Sequence, residues 1–168
     1  MENLIDVLNK ENSEYEELLK LSQRKTPIIV SGDLEQLQKV TDEEQIVVGR
    51  INQLEKARVE VVTDIANVLN KDVDTLKLTN IIAMLAARPA EQQVLAEVHD
   101  KLHEVVYTLK KVNDHNRELL TNSLEMVEFE MNLLQAMKAA PETANYNRGA
   151  YNAGATMGVV SGGFDAKQ

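Results

Sequence analysis

An apolar repeat of about five heptads in the second quarter of the chain limits the fold more than any other feature of the sequence. Its apolar positions are Leu37, Val40, Val47, Ile51, Leu54, Val61, Ile65 and Val68. A parallel register through Leu34, Thr41, Glu44 and Val48 is less apolar. Such spacing draws one stripe along a helix, and its persistence is typical of a coiled coil rather than a globular helix.

The last long segment carries the same repeat and predicts a helix from Ala90 to Ala139, about 75 Å long at ~1.5 Å per residue. Pro89 suits the first turn of this helix, because its missing N–H would have no partner there. The repeat runs through Leu95, Val98, Leu102, Val105, Leu109, Val112, Asn116, Leu119, Ser123 and Met126. A helix this long cannot bury its stripe alone, so we expect other helices to pack along it and one end to protrude.

The first segment is predicted to be a helix from about residue 3 to the region of Thr26, with an apolar stripe that includes Leu4, Leu8 and Leu18. Pro27 ends or kinks this helix, or residues 28–30 add a last turn. Gly32 and Asp33 then predict a reversal, in which the glycine adopts the left-handed conformation and the aspartate caps the second helix.

The chain divides into a helical body, residues 1–140, and a tail, residues 141–168. Thr79 is a candidate cap for a short apolar helix over residues 80–87, ahead of the last long helix. Five of the seven glycines follow Pro141, which predicts a flexible Gly/Tyr/Asn-rich tail. The predicted fold class is all-α: an elongated antiparallel helical bundle or coiled coil of three main helices plus a short helix, with a Gly-rich C-terminal tail.

Composition excludes several classes of function. Aromatic residues make up only 4% of the chain and Trp is absent, which is unusual for a globular core or a small-molecule pocket. A formal net charge of −9 disfavours nucleic acid and anionic membranes as partners. Without cysteine there is no disulfide or thiolate chemistry. Neither a signal peptide nor a membrane span is apparent, so the expected location is the cytoplasm.

A pair of histidines is the strongest hint of catalysis. His99 and His103 lie four residues apart, with Asp100 after the first, in a degraded version of the zinc-protease pattern. A third ligand is not evident and Asp100 is one methylene too short, so solvent-facing helix residues are the better interpretation. We therefore predict no enzyme activity, no catalytic residues, no metal and no cofactor.

The end of the last helix has more apolar residues than one packing face requires. Besides Leu133 and Leu134, it carries Val127, Phe129 and three of the chain's six methionines, Met126, Met131 and Met137. This surplus either packs against the first helix or a second copy, or forms an adaptable surface for a partner's amphipathic helix. Similarly, Asn116 and Ser123 either fix the register of a polar layer or form a polar notch for a partner.

Two stretches give the chain a family resemblance. The reversal Ser-Gly-Asp-Leu-Glu-Gln-Leu covers Ser31 to Leu37. The last helix carries Leu-x-x-Val-Asn-x-x-Asn-x-x-Leu-Leu-x-x-Ser-Leu-x-x-Val from Leu109 to Val127, and its most specific part is Val112 to Leu120. In these motifs and in its layout over residues 1–138, the chain resembles the FlgN-type flagellar export chaperone family.

The resemblance implies a cytoplasmic chaperone that binds the C-terminal amphipathic helix of flagellar hook-associated proteins, the first and third, at the hook–filament junction. It would prevent premature assembly and deliver them to the export gate of the type III export apparatus. The partner-binding residues implied by the likeness are Asn116, Leu119, Leu120, Leu124, Val127, Met131 and Leu134, with Tyr146 and Tyr151 as helpers. The alternative is a structural coiled-coil adaptor without chaperone activity, and a homo-oligomer is possible in either case.

Overall fold

Every regular element is a helix in the part of the chain that the structure, a computed structural model, describes: residues 1–73 and 76–139. They are α1 (Glu2–Ser31), α2 (Leu34–Leu69), α3 (Leu78–Met84), a 3-10 helix (Leu85–Ala87) and α4 (Pro89–Ala139). The predicted all-α fold class is thereby confirmed. The chain divides into two compact units, residues 1–126 and 127–168, which are described separately. The Gly-rich tail lies outside the described residues.

The reversal between α1 and α2 has the predicted capping geometry. Gly32 adopts φ 69° and donates its N–H to the Ile29 carbonyl, while Asp33 donates to the Ile28 carbonyl. The Asp33 carboxylate accepts the N–H of Gln36 at 3.0 Å and so caps the first turn of α2. These local bonds satisfy groups that helix ends otherwise leave unpaired.

Pro27 lies inside α1 instead of ending it. The helix continues to Ser31, so of the two predicted outcomes at this proline the additional turn is correct. A proline in a helix interior costs about 3 kcal/mol, because one amide donor is lost and its ring crowds the preceding turn. Ile29, which is buried, offsets about 1.5–3 kcal/mol of that cost. The Gly32 cap contributes further to the stability of this last turn.

Ion pairs show that α2 runs antiparallel to α1. Along α2, the partners on α1 move from Arg24 and Lys25, paired with Glu43 and Glu44, through Glu17 and Glu14, paired with Arg50, to Glu11, paired with Arg58. In contrast, α4 runs parallel to α1 through the first unit, because early residues of α4 pack near the start of α1 and later ones near its end. The first unit is thus the predicted antiparallel bundle of three long helices plus a short one.

Two apolar clusters form the core of this unit. One joins the start of α1 to the end of α2, α3 and the start of α4, through Leu4, Leu8, Ala66, Leu76, Ile81, Leu85, Leu95 and Val98. The other joins the middle of all three long helices, through Leu18, Leu21, Val40, Val47, Ile51 and Leu109. The more apolar heptad register of α2 is therefore the correct one over most of its length.

That register fails at its last position, since Val68 is 85% exposed and Ala66 is buried in its place. A straight helix drifts by about 20° per heptad against a strict seven-residue repeat, so four heptads after Val40 the stripe has turned away from the core. Gly49 marks no close approach either, because a Cβ built there would meet no atom within 4 Å. It is a tolerated weak point of α2.

The short helix starts earlier than predicted. α3 begins at Leu78 after Lys77, without a side-chain cap, so Thr79 does not have the predicted capping role. Burial of Ile81 decides the position of this helix, since it carries that side chain into the first apolar cluster. Pro89 is the first residue of α4, as predicted.

Candidate partner-binding surfaces

A polar layer crosses the three long helices near the end of α1. Asn116 of α4, 4% exposed, donates from Nδ2 to the Ser22 carbonyl at 2.8 Å and accepts at Oδ1 from the Thr26 hydroxyl at 2.7 Å. The Ser22 hydroxyl donates to Glu44 of α2 at 3.1 Å, and Lys25 pairs with the same carboxylate at 2.7 Å. Each buried polar group here has a partner, which is the condition under which such a layer fixes helix register.

An open groove of about 440 Å3 lies over this layer, between α2 and α4. Ser22, Lys25 and Glu44 contribute polar atoms to it, and apolar side chains lie along its two edges. On the α2 side Val48 is exposed, and on the α4 side Leu120 is half-buried and Leu124 is 70% exposed. Asn113, Asp114 and Arg117 of α4 also line the groove. It therefore offers exposed apolar area beside polar groups, of which Ser22, Lys25 and Glu44 are paired within the bundle.

The part of α4 in the second unit, residues 127–139, consists only of exposed residues. Six large apolar side chains there, 50–68% exposed, form what we call the terminal apolar face: Val127, Phe129, Met131, Leu133, Leu134 and Met137. At about 100° per residue, Val127, Met131 and Leu134 form one stripe, and Phe129, Leu133 and Met137 form a second. Glu128, Asn132 and Gln135 form a narrower polar strip beside the first stripe, while Glu130 lies between the two stripes and Lys138 lies within the first.

The residues implied by the resemblance thus occupy different environments. Asn116 is buried and its amide is used within the bundle, while Leu119 and Leu120 are half-buried. Leu124, Val127, Met131 and Leu134 are exposed. Tyr146 and Tyr151 lie outside the described residues. Ser123 forms no buried polar layer with Asn116: it is exposed and donates to its own helix at the Leu119 carbonyl, because the helix seam ends before it.

The histidine pair sits on the surface of α4. The rings of His99 and His103 stack with centroids 6.5 Å apart, and His99 Nδ1 lies 3.0 Å from the Asp100 carboxylate. Within residues 1–73 and 76–139, no group of three or more His, Asp or Glu side chains is placed to hold a metal ion. No helix in the same ranges is both long and apolar enough to cross a bilayer.

A buried carboxylate at the interface of α1 and α2 was not anticipated. Glu11 is 1% exposed, with Arg58 Nε 3.2 Å from its Oε1, and Tyr15 beside it donates to Glu55 at 3.2 Å. Burial raises the pKa of Glu11, Arg58 opposes that shift, and Glu55 adds to it. The signal was present in the sequence, because Glu11 continues the three-and-four spacing of Leu4 and Leu8, and Ser22 extends it in the same way.

Sequence comparison relates the chain to a known family. The sequence matches the family described as "FlgN protein" over residues 1–153. It is 26% identical over 135 residues to "Uncharacterized protein YvyG" of Bacillus subtilis (strain 168), an alignment that covers 79% of this chain and 76% of that protein. No solved structure shows a significant match. Because the family match spans nearly the whole chain, the resemblance carried by the reversal and the α4 motif is confirmed, and the chain belongs to the FlgN family.

Proposed function

We propose that this chain is a cytoplasmic export chaperone for the hook-associated proteins of the hook–filament junction, the first and third. It binds their C-terminal amphipathic helix, prevents premature assembly and delivers them to the flagellar type III export apparatus. FlgN proteins are flagellar export chaperones, which supports this function at the level of the family. The single observation that carries the binding mode is the terminal apolar face of α4.

The chemistry of the terminal apolar face suits an amphipathic helix. Its two stripes present Val, Leu and Phe side chains for burial, and Met131 and Met137 are unbranched and adapt to irregular surfaces. A client helix lays its own apolar stripe, with anchors three and four residues apart, against such a surface. Glu128 and Gln135 border the first stripe and disfavour a client helix that is apolar all round.

The groove over the polar layer supplies a second, separate contact surface for the client. Leu120 and Leu124 offer apolar contacts there, with Val48 on the opposite edge and Leu119 half-buried nearby. Asn116 contributes to this surface indirectly. Its amide is bonded to Ser22 and Thr26 and so holds α4 to α1. Asn116 is therefore a positioning residue for the leucines of α4.

The proposed activity is binding alone and makes or breaks no covalent bond. Burying the client's apolar stripe removes the surface through which the client would assemble, and release at the export gate requires that the affinity stay moderate. Capture has to precede export, which places the chaperone in the cytoplasm. The acidic body, which carries the chain's net charge of −9, disfavours nonspecific attachment to membranes and nucleic acid.

A pair of matched variants tests the binding mode. Met131→Gln with Leu134→Gln removes two exposed apolar contacts of the first stripe, and Asn132→Ala with Gln135→Ala changes the polar strip of the same helix stretch. Truncating two contacts at about 1 kcal/mol each weakens binding of a client's C-terminal segment about 30-fold, measured by calorimetry. We expect the control to bind like wild type. Equal affinity of both variants would contradict the assignment.

A structural coiled-coil adaptor uses the same exposed face to pair with a second copy, and it remains the alternative. Light scattering on the full chain separates the two functions. A stable oligomer that has no affinity for the client segment favours the adaptor, whereas a species that binds the client stoichiometrically favours the chaperone.

A further inference from the structure

We propose that an apolar groove at the end of α2 is a docking site for an amphipathic helix of a protein other than the client. The groove has a volume of about 490 Å3 and lies within the first unit, between the last turns of α2 and the short helix with its 3-10 extension. We call it the Val68 groove, after the most exposed residue that lines it. The docking site is independent of the proposed client surfaces.

The α2 wall of the Val68 groove is a continuation of the apolar repeat of that helix. Val61 and Ile65 are half-buried beside the first apolar cluster, whereas Val68 is 85% and Leu69 is 44% exposed. The last three of these residues follow Val61 by four, seven and eight positions, which is the spacing of a helix face that packs against another helix. The end of this stripe is therefore available to a further helix.

The opposite wall makes the groove concave and fixes its shape. Ile81 and Leu85 line it and are buried, and both belong to the first apolar cluster, so the fold holds this wall in place. Met84 lines the groove between them and is 38% exposed. A preformed wall lowers the ordering cost of binding, and an exposed methionine adapts to the side chains of different partners.

The length of the groove suits a single short helix. Val61 and Leu69 are eight residues apart on α2, or about 12 Å at ~1.5 Å per residue. A helix of two to three turns laid along this stripe buries less than the roughly 800 Å2 per partner that is typical of a stable complex. Permanent pairing with a second copy needs more area, and it would also bring together two chains of net charge −9.

Charges on the two walls specify the flanks of the docking helix. Asp64 is exposed and, at about 100° per residue, borders the α2 stripe. Arg88 lines the other side with a side chain that is 70% exposed, and its contact with Glu91 is long, at 3.5 Å. The groove therefore fits a helix whose apolar stripe has a basic residue on one flank and an acidic residue on the other.

A helix in the Val68 groove leaves the groove over the polar layer free. Arg88 and Asn116 are 28 residues apart along α4, or about 42 Å. A docked helix of two to three turns does not span that distance. The chain can therefore hold a second protein while a client occupies the groove over the polar layer, a consequence that rests on the proposed function.

A designed amphipathic peptide is the probe for a titration of the full chain. It has about fourteen residues, with leucines at helical spacing, lysines on one flank of the leucine stripe and glutamates on the other. Methyl-labelled Met84 reports from the Val68 groove, and Met131 and Met137 report from the terminal apolar face. We expect a saturable shift of the Met84 signal, and none with a peptide whose leucines are replaced by serine. An unchanged Met84 signal would overturn the inference.

A pair of matched variants locates the apolar contacts. Val68→Ser with Leu69→Ser removes two exposed side chains of the groove, while Ile46→Ser with Val59→Ser removes two exposed side chains of α2 that do not line it. We expect the first pair to weaken peptide binding at Met84 about 10-fold and the second to bind like wild type. Equal affinity of the two variants for the peptide would contradict the assignment.

Neutral variants of the two walls test the charge preference. Asp64→Asn with Arg88→Gln keeps the size of both side chains and removes their charges. At low salt this variant should bind the charged peptide about 3–10-fold more weakly than wild type does, and it should bind a peptide with glutamine on both flanks as wild type does. An equal loss for both peptides, or no loss for either, would overturn the stated chemistry of the partner.

Two further results would assign the groove to another occupant and overturn the inference. One is a Met84 signal that shifts with the concentration of the chain alone while light scattering shows a dimer. The other is a client's C-terminal segment that shifts the Met84 signal and competes with the peptide. We expect the client segment to leave Met84 unchanged. A client segment that binds nowhere would refute the chaperone function, while the response of Met84 to the peptide would still support the docking site.

Discussion

Replacing Asn116 with alanine tests whether the polar layer stabilises the bundle. The substitution removes the bond from Nδ2 to the Ser22 carbonyl and the bond from the Thr26 hydroxyl to Oδ1. Two hydrogen bonds contribute about 1 kcal/mol each, and the buried carbonyl left with one partner fewer adds up to about 1 kcal/mol. Alanine returns about 0.5 kcal/mol through its helix propensity. The expected loss in the free energy of unfolding is therefore about 2 kcal/mol.

The assay is urea unfolding followed by circular dichroism, with a thermal scan beside it. For a chain of this size, about 2 kcal/mol lowers Tm by about 4–8 °C. Asn113→Ala is the matched control, because Asn113 is exposed on the same helix one turn earlier and should change stability by less than about 0.5 kcal/mol. If Asn116→Ala were no more destabilising than Asn113→Ala, the polar layer would not hold α4 to α1.

Two further predictions concern stability. Gly49→Ala should raise the free energy of unfolding by about 1 kcal/mol, because the site is helical with open space, whereas Gly32→Ala at φ 69° should lower it by about 1 kcal/mol. Urea unfolding measures the free energy of unfolding of both glycine variants, and an equal change in the two would contradict the cap geometry of Gly32. Burial raises the folded-state pKa of Glu11, so wild-type stability should fall as pH rises from about 4.5 through that pKa. The Glu11→Gln variant should lose less stability over this pH range and should be more stable than wild type at pH 7. A pH profile of stability identical to that of wild type would refute the burial of the Glu11 carboxylate.

Local signals in the sequence were sufficient for the reversal between α1 and α2 and for the start of α4 at Pro89. The Gly32–Asp33 reversal follows from the conformational freedom of glycine and the hydrogen-bonding reach of aspartate, which act over a few residues. The packing stripe of α4 from Leu95 to Leu109 could also be predicted, since apolar side chains at heptad spacing all lie on one face of the helix. Both features hold in the fold because they depend on neighbouring residues.

Features that depend on tertiary contacts could not be deduced in the same way. The continuation of α1 past Pro27 depends on the burial of Ile29, and the start of α3 depends on Ile81 reaching the core. The seam position of Asn116 was apparent, but its partners Ser22 and Thr26 lie about 90 positions away in the chain. Glu11 and Ser22 were overlooked because polar residues at stripe positions resemble interruptions of the stripe. In the fold Glu11 forms an ion pair with Arg58 of α2, and Ser22 donates a hydrogen bond to Glu44 of α2.

Calorimetric titration of the full chain with the C-terminal segment of a hook-associated protein from the same organism tests the central claim most directly. We predict saturable binding with a negative heat-capacity change, because an apolar stripe of the client is buried on the chaperone. A chain that elutes as a stable oligomer and releases no heat of binding at any temperature would contradict the chaperone function and leave the structural coiled coil.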